Sequence, residues 1–241
     1  MFFLSDDAWE VRDVPGKGRG IFTKQEIAPG TVIGDYIGRL LRPCDIDEER
    51  DGLYEMYFST RASLFPDTSK PGVHLLNHSH EPNCWLYTYY GHTLFFSLRK
   101  IFPGEELTIS YLLGLKSDCN DDCDHDCHCG SIICTGTMHL RKEKYEKWWK
   151  FEEKNAKKTK RVKIKIGEML PVLDTYPKFI PDENVYDLFG YAGQPAIPYE
   201  YEELPSVKEL RKRIREIGRA LKFEKIGKTV LGINNGSVVF K

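Results

Sequence analysis

The reading of this chain turns on the stretch Leu75-Leu76-Asn77-His78-Ser79-His80-Glu81-Pro82-Asn83-Cys84. With His74 before it, the stretch carries the spacing His74-x3-His78-x-His80. Alone, that spacing points to a metallohydrolase, but no carboxylate stands between the first two histidines to act as a base. Pro82-Asn83 bends the segment, so it reads as a loop and not as a ligand-bearing helix. Without further company, Asn77 and His78 would only cap turns. The company comes downstream. Gly104-Glu105-Glu106-Leu107-Thr108-Ile109-Ser110-Tyr111 is a turn and a strand closed by a tyrosine, and Cys127-x-Cys129-x4-Cys134 sets three thiolates on a glycine-containing loop. Zinc takes four ligands, so a fourth must come from elsewhere. It is either local, from Cys119 or Cys123, or distant, from the His74–Cys84 segment.

Composition sharpens this. The chain has 241 residues, with 35 basic and 36 acidic side chains and a formal net charge of −1. A near-neutral surface excludes nucleic-acid binding by the whole molecule but permits a local basic patch. Hydrophobic residues make up 41 % and aromatics 12 %, too many for a wholly disordered chain. Five of the seven cysteines (119, 123, 127, 129 and 134) fall within sixteen residues, an odd total that reads as metal binding before disulfides. The start, MFFLSDDAWE, lacks the basic and long apolar regions of a signal peptide. No run approaches the ~18 apolar residues of a membrane helix. The expectation is a soluble intracellular protein of the nucleus or cytoplasm, without membrane contact.

Short β-branched and aromatic runs at Val11–Val14, Gly20–Thr23, Thr31–Leu41, Trp85–Tyr90, Thr93–Ile101 and Leu107–Leu112, with turns at Ala28-Pro29-Gly30 and Pro103-Gly104, predict a mostly β domain. Residues 116–139 are polar, rich in Asp and Cys, and hold almost no core material, so a metal is the economical way to fold them. His139–Lys158 reads as a helix. Residues 171–205 hold six of the thirteen prolines and many aromatics, which suits an extended wrapping segment. Ser206-Val207-Lys208-Glu209 fits a capping box, and Val207, Leu210, Ile214, Ile217 and Leu221 continue it as an amphipathic helix over Ser206–Lys225. Asn234-Asn235-Gly236 between two apolar runs predicts a hairpin. The fold class is therefore α+β, mostly β. The expected units are a catalytic domain at 9–112, a zinc-binding segment at 113–140 and an extension at 141–241.

A glycine-rich loop, Gly16-Lys17-Gly18-Arg19-Gly20, lets backbone N–H groups approach an anionic group. The lack of a following helix argues against a dinucleotide fold. Gly227-Lys228-Thr229 is no P-loop, because Lys222 stands where the first glycine is needed.

In order, GKGRGIF, GDYIG, NHSHEPNC, GEELTISY and CHCGSIICTG resemble the SET-domain protein-lysine N-methyltransferases with a post-SET zinc segment, over about residues 9–140. The resemblance implies a SET fold of small twisted sheets with a knot-like active site. It implies methyl transfer from S-adenosyl-L-methionine to a lysine side chain of a histone or other basic protein. Lys17, Gly18, Arg19 and Gly20 match the loop that binds the methionine end of the cofactor. Asn77 and His78 match the pair contacting its methionine portion and adenine edge. Tyr36 matches an aromatic lining the lysine channel, Tyr54 or Tyr57 a further cofactor-contacting tyrosine, and Tyr111 the catalytic tyrosine.

Departures from the family pattern carry information. His80 stands where post-SET members usually have the fourth zinc-binding Cys. The preferred zinc site is therefore His80, Cys127, Cys129 and Cys134, with Cys84 and Cys123 as alternatives. The segment before Asn77, GVHLLNH, lacks a longer family stretch with an Arg. Ile109 stands where many members have Phe or Tyr controlling the number of methyls added, and Leu86 and Tyr87 lie near enough in sequence to compensate. Cys119-x3-Cys123, ringed by Asp118, Asp121, Asp122, Asp124 and Asp126, is surplus to the family pattern and reads as a flexible acidic loop. Lys157–Lys163 fits a nuclear address, a nucleic-acid patch or a solvated helix end equally. A non-catalytic zinc-stabilised interaction module on a SET scaffold is the competing function, and a zinc hydrolase using His74, His78 and His80 the third.

Overall fold

A computed structural model describes residues 1–45, 54–59, 61–119, 123–140 and 162–180, the backbone of 231–234 and 237–240, and single helical positions at 142, 145, 146, 149, 150, 153, 208, 212 and 215. The chain forms β1 (Trp9–Val14), β2 (Gly18–Thr23), β3 (Val32–Asp35), β4 (Arg39–Leu41), β5 (Met56–Ser59), β6 (Ala62–Phe65), β7 (Asn77–His78), β8 (Cys84–Tyr89), β9 (His92–Ser97), β10 (Glu106–Ile109), β11 (Leu231–Asn234) and β12 (Ser237–Phe240). They make four small sheets with orders β1-β2-β10-β7, β3-β9-β8, β4-β6-β5 and β11-β12. The mostly β architecture expected from the sequence is present.

Alternation along the strands divides the core in two. On β9, Leu94, Phe95 and Phe96 are all fully buried. Successive side chains point to opposite faces, so Phe95 joins Ile21, Ile33, Leu64 and Leu75 in one cluster, while Leu94 and Phe96 join Trp85, Leu98 and Leu140 in the other. Strand β3 does the same, with Ile33 in the first cluster and Val32 in the second. A strand buried on both faces reads as a continuous apolar run, which explains why the sequence announced β9 clearly.

Three expectations need correction. The single run Thr31–Leu41 is two strands in different sheets, parted at Tyr36-Ile37-Gly38. Asn77-His78 is not simply loop: it is a two-residue strand, parallel to β10, with Asn77 opposite Thr108 and His78 opposite Ile109. Strands β5 and β6 had no counterpart in the sequence reading.

Residues 162–180 wrap the domain, beginning before the segment 171–205 that was expected to do so and of which only 171–180 are described. Gly167 N donates to Leu40 O, Leu40 N to Glu168 O, Leu170 N to Gly38 O, and Ile180 N to Gly30 O, at 2.7–3.0 Å. Leu170 and Ile180 are buried, one in each core cluster. The predicted hairpin forms as β11 paired antiparallel with β12. Lys208, Lys212 and Arg215 of the predicted 206–225 helix are helical. The rest of that helix, residues 181–205 and the basic residues 157–161 lie outside the described residues. Among the described residues, no helix is long and apolar enough to cross a membrane.

Candidate active site and metal clusters

The site is assembled where β7 lies beside β10. Ser79 N donates to Ile109 O at 2.8 Å, extending the parallel ladder by one residue. Asn83 closes the loop. Its Oδ1 accepts from Thr108 N at 2.9 Å and its Nδ2 donates to Glu106 O at 2.8 Å. Tyr111 N donates to His78 Nδ1 at 3.2 Å, which ties the tyrosine's backbone to the histidine ring. The next residue, Leu112, takes φ 54°, a conformation that side-chain-bearing residues rarely adopt. Its burial in the second core cluster offsets that strain and turns the chain sharply after Tyr111.

Glu106, which the sequence reading left without a role, joins the glycine loop to this arrangement. Its Oε2 lies 2.5 Å from Lys17 Nζ and its Oε1 accepts from Asn77 Nδ2 at 2.8 Å. Asn77 Nδ2 also donates to Arg19 O at 3.2 Å. Gly20 sits against this junction: a Cβ there would meet Glu106 Oε1 at 2.6 Å and Asn77 Nδ2 at 2.8 Å. Only glycine fits.

These elements enclose a cleft of about 200 Å³. One side is Gly16 and Lys17, the floor is Asn77, His78 and Tyr111, and the far side is Asp126, Cys127, His128, Cys129 and Met138. The sequence reading missed Asp126, His128 and Met138; their adjacency to the cysteines was the available signal. Gly18, Arg19 and Gly20, expected with Lys17 to contact the cofactor, are not among the residues that line the cleft. Burial lowers His78 to about 3, with neighbouring His80 adding to the effect, so the imidazole facing the cleft is neutral. Burial pushes the Tyr111 phenol up to about 12.

Tyr36, 4 % exposed, donates from its hydroxyl to Tyr54 O. Burial, then the phenols of Tyr111 and Tyr54, raise its pKa well above the usual range, so these three tyrosines share one apolar neighbourhood. Tyr57 does not belong to it: it is 51 % exposed and lies edge-on to Trp149. The two tyrosines that the sequence left ambiguous thus have different surroundings, Tyr54 beside Tyr36 and His74, Tyr57 at the surface.

His80, Cys127, Cys129 and Cys134 converge, with ligand atoms all within 4.8 Å of one another. His80 Nδ1 lies 3.3 Å from Cys127 Sγ and 3.5 Å from Cys129 Sγ, and its Nε2 faces Thr135 Oγ1 at 2.9 Å. Zn–S bonds of ~2.3 Å and Zn–N bonds of ~2.0–2.1 Å in a tetrahedron give edges of roughly 3.5 Å, which these distances match. The cluster is able to hold zinc. Cys84 is fully buried, with its thiol donating to Asn83 Oδ1, and is not part of it. His74 also stands outside both Cys/His clusters and packs edge-on against Tyr54, which leaves the three-histidine hydrolase without a ligand set among the described residues. Cys119 and Cys123 are not surplus: they meet His125 and His139 in a second cluster.

Residues 18–112 match the family model described as SET domain, and this stretch of the chain is a SET domain. The chain is also similar to several histone-lysine N-methyltransferases. The chain is 33 % identical over 137 residues to the histone-lysine N-methyltransferase TRX1 of Oryza sativa subsp. japonica, covering 51 % of this chain and 13 % of that protein. It is 31 % identical over 135 residues to the histone-lysine N-methyltransferase set-2 of Caenorhabditis elegans, covering 51 % and 9 %. It is 31 % identical over 186 residues to the histone-lysine N-methyltransferase NSD3 of Mus musculus, covering 69 % and 12 %. The chain thus spans about an eighth or less of these relatives' length. A crystal structure of KRYPTONITE in complex with mCHG DNA and SAH aligns over 54 % of this chain and 28 % of that one, at 22 % identity and a TM-score of 0.42.

Proposed function

We propose that the chain is an S-adenosyl-L-methionine-dependent protein-lysine N-methyltransferase acting on a histone or another basic protein. In this reading residues 9–112 are the catalytic unit, 113–140 the zinc segment and 141–241 an extension that takes part in substrate choice. The observation that carries it is the cleft itself, where the glycine loop, Asn77-His78 and Tyr111 converge beside the metal-competent cysteines.

The residues fit the cofactor. Gly16 lines the cleft at φ 73°, and a Cβ there would reach toward the His128 ring at 3.5 Å, so the loop's backbone is left open to a ligand. Lys17, Gly18, Arg19 and Gly20, with Asn77, His78 and Tyr54, would hold it, and its sulfonium supplies an electrophilic methyl group. His80, Cys127, Cys129 and Cys134 would hold zinc, which fixes the far side of the cleft.

The remaining work falls to the chain. A lysine amine in water has pKa ~10.4 and is blocked by its proton. The aromatic neighbourhood of buried Tyr36, half-buried Tyr54 and Tyr111, which is 40 % exposed at its mouth, disfavours the ammonium and fixes the line of attack. Tyr111, pushed up to about 12, keeps its proton at neutral pH. It therefore orients the amine by hydrogen bonding and is not the base; the amine's proton leaves to water. Ile109, 5 % exposed at the end of β10, leaves product multiplicity to the packing around it.

The test is transfer of labelled methyl to core histones and to a basic lysate fraction. Tyr111→Phe should lower the rate by about 100-fold, the usual cost of losing one positioned donor, while calorimetry shows cofactor binding retained. The wild-type rate should climb with pH as the substrate amine deprotonates, with no inflection from Tyr111 below about pH 11. A folded, zinc-loaded protein that binds no cofactor would instead support the interaction module.

A further inference from the structure

The acidic, cysteine-bearing loop after the SET domain holds a set of groups that the cleft does not use. Cys119 Sγ lies 3.5 Å and Cys123 Sγ 3.2 Å from His125 Nδ1, and Cys123 Sγ lies 3.1 Å from His139 Nε2. All four ligand atoms fall within 4.8 Å of one another. We propose that Cys119, Cys123, His125 and His139 form a second zinc centre, distinct from the cluster of His80, Cys127, Cys129 and Cys134.

Three observations support this beyond proximity. The first is orientation. The His125 and His139 rings are 5.1 Å apart and inclined at 82°, so they do not stack, and each turns a nitrogen toward the same sulfur. The second is the state of His139. Its Nδ1–H donates to Gly114 O at 2.8 Å, which fixes the tautomer and leaves the Nε2 lone pair aimed at Cys123. A backbone carbonyl behind a histidine is how metal-binding imidazoles are commonly held. The third is that neither cysteine is tied up in a disulfide, so both sulfurs can ligate. Two thiolates and two neutral imidazoles neutralise a dication, and a soft tetrahedral S2N2 set selects zinc among common divalent metals.

The two clusters interleave in sequence and share no ligand. Cys119, Cys123 and His125 precede Cys127, Cys129 and Cys134, and His139 follows them. Between the clusters the chain pairs with itself: Asp126 bridges Thr137, Met138 N donates to His125 O at 3.0 Å, and Cys127 N to Gly136 O at 2.9 Å. The second ion therefore clamps the base of the loop that carries three ligands of the first. It supplies the cohesion that residues 116–126, nearly devoid of apolar side chains, cannot obtain by burial.

The test uses the full chain, purified without chelator. Plasma emission should find two zinc ions per chain, and zinc-edge X-ray absorption should fit five sulfurs and three nitrogens shared over two ions. Cys119→Ser/Cys123→Ser should lose one ion and keep the other, and Cys127→Ser should do the same with the roles reversed. One ion per wild-type chain with three sulfurs around it overturns the proposal, as does a double variant that keeps both ions. If the double variant does not fold, the sulfur average of the wild type decides: three per zinc overturns the second centre, and fewer supports it. None of these readouts depends on methyl transfer, so they stand apart from the fate of the enzymatic reading.

Discussion

Glu106 divides its carboxylate between two partners, one oxygen on Lys17 and the other on Asn77, and is 16 % exposed in its side chain. Its neighbour Glu105 points the other way, pairing with Arg99 through both oxygens and accepting from Phe102 N at the turn before β10. Sequence alone cannot separate two adjacent glutamates. Which one faces the cleft depends on strand register, and a slip of one residue would exchange them. The cysteine cluster was legible because its chemistry is particular, but joining His80 to Cys127, Cys129 and Cys134 across about fifty residues of chain took the resemblance to the SET family, and the cluster of Cys119, Cys123, His125 and His139 was not read at all. Tyr54 and Tyr57 were not separable, because nothing in a tyrosine announces its face. At this scale Gly20→Ala is the sharpest probe. The added methyl would drive into Glu106 and Asn77, costing about 1–3 kcal/mol in urea denaturation and weakening cofactor affinity by calorimetry.

Among elements, β7 is two residues long, below anything periodicity can detect. It exists because β10 supplies a parallel partner and because Asn83 pins the end of the loop. The sequence pattern showed a bend at Pro82-Asn83 but could not show that the Asn83 side chain would substitute for a strand. Likewise, β3 and β4 read as one run because both are apolar; their separation comes from Tyr36 turning into the core. Asn83→Ala would leave Thr108 N without its partner and one bond fewer at Glu106 O. It should cost about 1–3 kcal/mol by thermal denaturation and speed hydrogen exchange at the Thr108 amide, leaving exchange in the β8–β9 pair near wild type.

Across the whole molecule, the SET domain does not close without chain from beyond it. Asp35 and His92 are fully buried and bonded at 2.6 Å, and Tyr176 adds its hydroxyl to the same Asp35 oxygen at 2.8 Å. His92, isolated in the sequence, has its place here, and no local pattern could have assigned a partner 57 residues away. The wrapping character of 171–180 was legible from its prolines and aromatics, but the surface it would cover was not. Leu170→Ala should cost about 2–5 kcal/mol, because the side chain is 1 % exposed. Limited proteolysis should then cut within 162–180 at protease levels that spare the wild type.

The wrap also has a consequence in time. Its hydrogen bonds join residues near 170–180 to residues near 30–40, and Tyr176 meets Asp35 across 141 positions of sequence. Such distant pairings carry a large closure entropy and form late in folding. On a ribosome, β3 and β4 must wait, with their outer edges open, until the chain has been synthesised well past the last residue of the SET domain. Until then an unpaired strand edge is a site for wrong partners. The order of synthesis thus makes the extension the step that ends the vulnerable interval of the domain it covers.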